Sequence, residues 1–442
     1  MSDRVDTIFA RASGVGAAAI AVLRISGPGS GGALAALAGG LPQPRLASLR
    51  RLRDPGSGDL LDRALVLWFP GPSSYTGEDS AELHLHGGGA VVAGVSAALV
   101  TLGCRPAEPG EFTRRAFLQG RMDLTQAEAV ADLIAAETAA QRAQALRQAE
   151  GGLGRLYAEW TREATRVLAH QEAAIEFAMD DLPTDLDSQA RIAAGTLGER
   201  IAAHLADGGR GERLREGLAI AILGAPNAGK SSLLNALAGR EAAIVAAIPG
   251  TTRDVVECRI DLSGVPATLA DTAGLRESED VVEREGVRRA LARANAADIL
   301  VAVFAADAEP DAATLAAVQA AGQPLVVVNK IDLAPARPNI AGHATIPVSV
   351  LRGDGLTALR DQLVAAATAR AGLADAPTLT RTRHRAALTE ALHHLEVGMG
   401  ARAPELAAEG YRAALLAIGR LTGRVGVEEI LDSVFRDFCI GK

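Results

Sequence analysis

Residues 224–231 read GAPNAGKS and stand between the apolar run LAIAIL (218–223) and the segment SLLNALAG (232–239). A strand, a glycine-containing loop and a helix, in that order, is the setting in which G-x-x-x-x-G-K-[ST] acts as a phosphate loop. The glycines let the backbone curl until its N–H groups converge on a β-phosphate. Lys230 would then add a compact charge between the β- and γ-phosphates, where the planar fork of arginine does not fit. The Ser231 hydroxyl would be offered to Mg²⁺. Eight residues can match by chance, so the weight falls on the rest of the chain.

Four further stretches stand in the order along the chain that this fold demands. Asp271-Thr272-Ala273-Gly274 succeeds the run VPATLA (265–270), which sets a carboxylate near the metal and a glycine near the γ-phosphate. Asn329-Lys330-Ile331-Asp332 succeeds PLVVV (324–328). An aspartate there can accept two hydrogen bonds from guanine, a pattern adenine does not offer, while the stem of Lys330 lies along the base. Gly250, Thr251 and Thr252 sit between the first helix and the second strand, where Thr252 can reach Mg²⁺; Ser349, after ATIPV (344–348), belongs to a loop beside the base. With Asn227, Ala228, Gly229 and Ser232 of the phosphate loop, these residues form the expected GTP site. DILVAVF (298–304) and PLVVV alternate with helical segments, which implies a parallel sheet wrapped by helices.

Around this insertion the chain changes character twice. AAAIAVLRISG (17–27), ALVLWFP (64–70) and AELHLHGG (81–88) read as strands and AVVAGVSAALVTLG (90–103) as a helix, giving an α+β domain over 1–120. Residues 123–207 show helical spacing without strand-like alternation, and helical character returns after about 376. We therefore expect a multidomain α+β and α/β protein: an N-terminal domain (1–120), a discontinuous helical domain (121–213 and 373–442) and an inserted Ras-like P-loop GTPase domain (214–372).

Composition sets the outer limits. The 442 residues carry a net charge of −8, which argues against a blanket basic coat for nucleic acid, although Arg381-Thr-Arg383-His384-Arg385 makes a local patch or a solvated helix start. Cys104, Cys258 and Cys439 are too few and too scattered for a disulfide framework. No apolar run of membrane length occurs, and the first residues do not read as a signal peptide, so a cytoplasmic protein is expected. His84 and His86 share one strand face without a third metal ligand in view.

The phosphate loop with its asparagine, together with GTTRD (250–254), resembles the translation-factor-type GTPases that bind K⁺. The resemblance implies that K⁺ is held by the Asn227 side chain and by carbonyls of Ala246, Ile248 and Thr251, in the stretch that runs on through Ala247, Pro249 and Gly250. There the ion would stabilise transition-state charge, as an arginine finger does elsewhere. The position after Gly274 that often carries a water-orienting glutamine holds Leu275. The residues leave Glu277, Glu279, Asp280, Glu283 and Glu285 as candidates to replace it.

YTGEDSAELHLHGG (75–88), PGEFTRRAFLQGRMDLTQAEAVADLI (109–134), DTAGLRESEDVVEREGV (271–287) and FCIGK (438–442) are similar to the tRNA modification GTPase MnmE (TrmE) family, along essentially the whole chain. The resemblance implies a homodimer formed through an N-terminal domain like those that bind tetrahydrofolate. It implies an FAD-containing partner, MnmG (GidA), in a heterotetrameric or larger complex. It also implies tRNA as substrate, with an aminomethyl-type group installed at C5 of the wobble uridine (position 34) from a 5-formyl- or 5,10-methylene-tetrahydrofolate. Carried over by motif, the folate contacts fall on Arg24, Glu82, Arg121 and Lys442, and the catalytic residues are Lys230 and Glu283. A ribosome-assembly or signalling GTPase without folate chemistry is the alternative.

Lysine usage agrees with this reading. Of 45 basic residues only Lys230, Lys330 and Lys442 are lysine. Two lie in the phosphate and guanine motifs, which marks the third for a specific role.

Overall fold

The computed structural model describes residues 6–176, 186–271 without 241–256, 296–372 and 377–423, together with Leu431, Val434, Phe435, Phe438 and Gly441; Arg240, Glu257 and Asp271 are described by backbone alone. The chain divides into two compact units: residues 1–131, 154–161 and 418–442 form one, and 132–153 with 162–417 form the other.

The first unit contains β1 (Ile8–Arg11), β2 (Ala18–Ser26), α1 (Ser30–Ala38), β3 (Ser48–Arg53), β4 (Leu60–Phe69), β5 (Ser80–Gly87), α2 (Gly89–Thr101), β6 (Arg105–Pro106), α3 (Glu111–Leu118) and the start of α4 (Leu124–Ala135). Its sheet runs β3-β4-β5-β2-β1-β6. Alternation in β5 sends Ala81, Leu83 and Leu85 inward and Glu82, His84 and His86 to the other face. The inward set joins Leu23, Ile25 and Val66 under Leu34 and Leu37 of α1 and Val95 and Leu99 of α2. Burying each such leucine stabilises the unit by roughly 1.5–3 kcal/mol. Near the other end of the chain, Leu431, Phe435 and Phe438 pack on Leu124 and Ala127. Gly110, at φ 70°, has Phe435 so close that an added Cβ would lie 3.0 Å from its ring.

The second unit continues with α5 (Ala139–Ala149), most of α6 (Gly152–Glu176), α7 (Leu186–Leu205), α8 (Arg210–Glu216), β7 (Leu218–Leu223), α9 (Lys230–Arg240), β8 (Glu257–Leu262), β9 (Val265–Asp271), β10 (Ile299–Ala305), α10 (Ala312–Ala320), β11 (Leu325–Asn329), β12 (Asn339–Ile340), β13 (His343–Pro347), α11 (Leu356–Ala371), α12 (Thr382–Gly400) and most of α13 (Pro404–Thr422). The strand order is β12-β13-β11-β10-β7-β9-β8. The middle of the sheet is parallel as expected, but both edges run antiparallel. The reason is loop length. Only Ser263 and Gly264 separate β8 from β9, and only Ala341 and Gly342 separate β12 from β13. All four residues have positive φ. Two such residues close a hairpin and leave no room for a crossover.

Helix α5 opens with a reciprocal capping box between Thr138 and Gln141, and Gln141 Nε2 reaches on to the Arg215 carbonyl at 3.0 Å. Ala140 enters the same core as Ile260, Leu262 and Val265. The basic patch expected at 381–385 is neither a nucleic-acid surface nor a solvated helix start. Arg381 pairs with Asp132 at 2.7 Å, Arg385 pairs with Asp207 and Glu212 at 2.8 and 2.9 Å, and His384 is buried. Those arginines tie α12 to the segments around α4 and α8.

Candidate functional site

The phosphate loop leaves β7 at Gly224, which faces β10 so tightly that a Cβ would stand 2.3 Å from the Val303 carbonyl oxygen. Asn227 and Gly229 take positive φ, 63° and 94°, so the chain curls back before α9 begins. Lys230 is the first residue of α9 and is buried. Its Nζ donates to the carbonyls of Gly224 and Ala225 at 2.9 and 2.8 Å, which places the ammonium inside the ring of loop backbone. A helix start and an enclosed ammonium in one loop make an anion site. Ser231 and Ser232 follow on the first turn. Asp271 closes β9 with its backbone beside Ile222 of β7, so two strand ends converge at the loop.

Asn329, at the end of β11, is 3% exposed. Its Nδ2 donates to the Ala228 carbonyl at 2.9 Å, and its Oδ1 accepts from the Val350 N–H at 3.2 Å. The side chain is thus a brace joining the phosphate loop to the loop after β13, a role the motif did not disclose. Lys330 has φ 64°, and its Nζ lies 3.5 Å from Asp307 Oδ2. Lys330, Asn227, Phe304 and Asp307 line a cleft of about 160 Å³. Asp332 Oδ1 accepts the Ser349 hydroxyl at 2.6 Å, and the Ser349 oxygen accepts the Arg352 N–H at 3.2 Å. The bond from Ser349 is the main cause holding the Asp332 carboxyl below its ordinary value, so it is an acceptor at neutral pH.

The structure therefore brings Asn227, Ala228, Gly229, Lys230, Ser231, Asn329, Lys330, Asp332 and Ser349 to the same end of the sheet. Ala246, Ala247, Ile248, Pro249, Gly250, Thr251, Thr252, Thr272, Ala273, Gly274, Glu283 and Lys442 lie outside the described residues.

In the first unit, Arg24 on β2 stands directly opposite Glu82 on β5. Arg24 Nη2 and Nε donate to Glu82 Oε1 at 2.8 and 3.1 Å, and each side chain is about one-fifth exposed. The guanidinium carbon lies 5.3 Å from the Tyr75 ring centroid and 5.9 Å from that of Phe112. Those aromatics belong to the YTGED and PGEFTRR stretches, but nothing in their spacing announced that they flank Arg24. Glu82 Oε2 is 3.5 Å from His84 Nε2. Arg121 is exposed, and its stem lies beside Gly77, where a Cβ would be 3.4 Å from Arg121 Cγ and Cδ. Gly441, at φ 104°, lies against the end of β1, where a Cβ would stand 2.2 Å from the Arg11 carbonyl oxygen. Since β1 pairs with β2, the residue before Lys442 sits on the strand next to that of Arg24.

Two family models match the chain: the N-terminus of the GTP-binding protein TrmE over residues 7–121, and the MnmE helical domain over residues 124–439. The tRNA modification GTPase MnmE of Gluconacetobacter diazotrophicus is 56% identical over 438 residues, covering 98% of each chain. That of Granulibacter bethesdensis is 54% identical over 450 residues, covering 99% of each. Among solved structures, the G domain of the T. maritima FeoB iron transporter is 25% identical over 34% of this chain and 98% of its own, with a TM-score of 0.27, too low to bear on function. With the two models together spanning residues 7–439 and more than half of the aligned positions shared with relatives covered over nearly their whole length, the chain belongs to the tRNA modification GTPase MnmE family.

Proposed function

We propose that this chain is a potassium-dependent GTPase that modifies tRNA together with an FAD-containing partner of the MnmG (GidA) kind. The modification is an aminomethyl-type group at C5 of the wobble uridine, drawn from a tetrahydrofolate one-carbon unit. The observation that carries the GTPase part is the Asn329 brace: one buried amide joins the phosphate loop to the loop that presents Ser349, and Ser349 orients Asp332. Phosphate and guanine recognition are thereby built as one rigid piece. Family membership supports tRNA as substrate, a homodimer formed through the N-terminal unit, and a cytoplasmic location.

In this reading Lys230 neutralises the β- and γ-phosphates, Ser231 and Thr252 hold Mg²⁺ with Asp271 close by, and Glu283 orients the attacking water. The donor set fits a hard cation, being hydroxyls, a carboxylate and an amide oxygen. Asn227, with carbonyls of Ala246, Ile248 and Thr251, would hold K⁺, whose positive charge would offset the negative charge that develops on the phosphates in the transition state. Arg24, Glu82, Arg121 and Lys442 receive the folate, with the carboxylate of Glu82 toward the pterin edge and the cations toward the anionic tail.

Potassium offers the sharpest test of the hydrolytic part. GTP turnover measured in KCl and in NaCl at equal ionic strength should fall at least ten-fold on the exchange, because sodium is too small for a carbonyl cage. Equal rates in the two salts would remove the role given to Asn227.

A further inference from the structure

Strand β5 carries a second arrangement: His86 leaves the sheet on the face turned away from α1 and α2 and meets Asp62 of β4, which falls in the buried alternation with Ala64 and Val66. The Asp62 side chain on β4 is 7% exposed, whereas the His86 ring beside it is 72% exposed. His86 Nδ1 lies 2.7 Å from Asp62 Oδ1, the His86 backbone N–H donates to Oδ2 at 2.9 Å, and the Arg63 N–H donates to Oδ1 at 2.7 Å. Burial pushes the Asp62 carboxyl up, but the hydrogen bonds from His86 and Arg63 outweigh it and leave the group below its ordinary value. An ionised carboxylate only accepts, so it fixes the proton on Nδ1 and leaves Nε2 with a lone pair directed away from Asp62. The His86 backbone N–H already ties Asp62 to β5, and the Arg63 N–H holds the carboxylate within β4. The ring adds no burial, because it stands in solvent.

The surroundings point the same way. Arg63 is exposed and directly opposite Arg51 on β3. Like charges set opposite one another weaken a strand pair. Neither guanidinium has a side-chain partner among the described residues, in a chain whose net charge is −8. Other charged or titratable groups on this face include His84 and Glu82 on β5, Arg24 on β2 with Tyr75 packed on it, and Arg53 on β3. Ile20 stands opposite His86 and is itself exposed.

We propose that His86, oriented by Asp62, is a catalytic proton-transfer residue of the tRNA modification, and that Arg51 and Arg63 draw an anionic substrate onto this face. The inference rests on the reading above that the N-terminal unit receives the folate one-carbon donor. Nε2 accepts one proton from an acidic N–H or O–H of the bound substrate, and its lone pair becomes the new N–H bond. The imidazolium is held by the Asp62 carboxylate and returns the same proton to a lone pair of the substrate, breaking the new N–H bond, so the ring ends as it began and no electrons are gained or lost.

The test uses the full chain with its flavoprotein partner, GTP, tRNA and 5,10-methylene-tetrahydrofolate. His86→Gln replaces an exposed ring, so folding is not at stake. Its modification rate should fall by about 10²- to 10⁴-fold, while GTP turnover stays within two-fold and the melting temperature is unchanged. Asp62→Asn should lower kcat of the modification with KM little changed and without abolishing GTP turnover. Wild-type modification by His86→Gln overturns the assignment. So does a loss matched by equal losses in melting temperature and GTP turnover, which would mark the histidine as structural. A wild-type complex that leaves tRNA unmodified would instead overturn the functional reading on which the assignment stands.

Discussion

Gly229 concentrates the logic of the nucleotide site in one position. At φ 94° an alanine there is strained, and its Cβ would stand 2.1 Å from Asn329 Nδ2, displacing the amide from the Ala228 carbonyl. The left-handed backbone alone costs about 1–2 kcal/mol, so Gly229→Ala should weaken GDP binding ten-fold or more in a fluorescent-nucleotide titration. Because the lost contact is the brace itself, Asn329→Ala in the same chain should add little further loss. Full additivity of the two would refute the brace. Much of this site was legible in the sequence, since GAPNAGKS and NKID each dictate what backbone and charge must be present. What could not be read was Asn329 bridging to Ala228 and Val350, or Tyr75 and Phe112 flanking Arg24. Those contacts join residues far apart in the chain, and no local spacing encodes them.

Among the elements, strands with clean alternation were plain: β2, β4 and β5 each bury every second residue. Strand β3 was not, because SLRRLR is half arginine and buries Leu52 alone. An edge strand needs little apolar surface, so its sequence reads as loop. The same holds for α1, SGGALAALA, whose two glycines hide a helix that packing on the sheet stabilises. In the helical segment, α12 packs along α7, and His204 lies in the last turn of α7. Burial lowers the His204 pKa from 6.5, as do His384 and Arg385, against an upward pull from Asp207. A base with a depressed folded value contributes stability that is complete above the unfolded value, near 6.5. That contribution is lost as the pH falls through the folded one. Urea midpoints should therefore drop between pH 7.5 and 5.5 more steeply for the wild type than for His204→Leu. Parallel slopes would show that this imidazole does not carry the effect.

On the scale of the whole molecule, the chain devotes its rare lysines to places where a point charge matters. Lys230 sits inside the phosphate loop and Lys330 lines the cleft beside it. Lys442 follows a glycine seated on the Arg11 backbone, one strand from Arg24. Gly441→Ala cannot keep that seat without displacing the Arg11 carbonyl. Its affinity for 5-formyl-tetrahydrofolate should fall at least ten-fold by calorimetry, as should that of Lys442→Arg. Unchanged folate binding in both would remove the tail from the ligand site. The central claim is that GTP hydrolysis in one unit serves uridine chemistry in the complex. The most direct measurement is mass spectrometry of wobble-position nucleosides after the chain, its flavoprotein partner, unmodified tRNA and 5,10-methylene-tetrahydrofolate react with GTP or with a non-hydrolysable analogue. The account predicts an aminomethyl-type C5 uridine with GTP in K⁺ and none with the analogue; equal product in both, or no product with GTP, would contradict it.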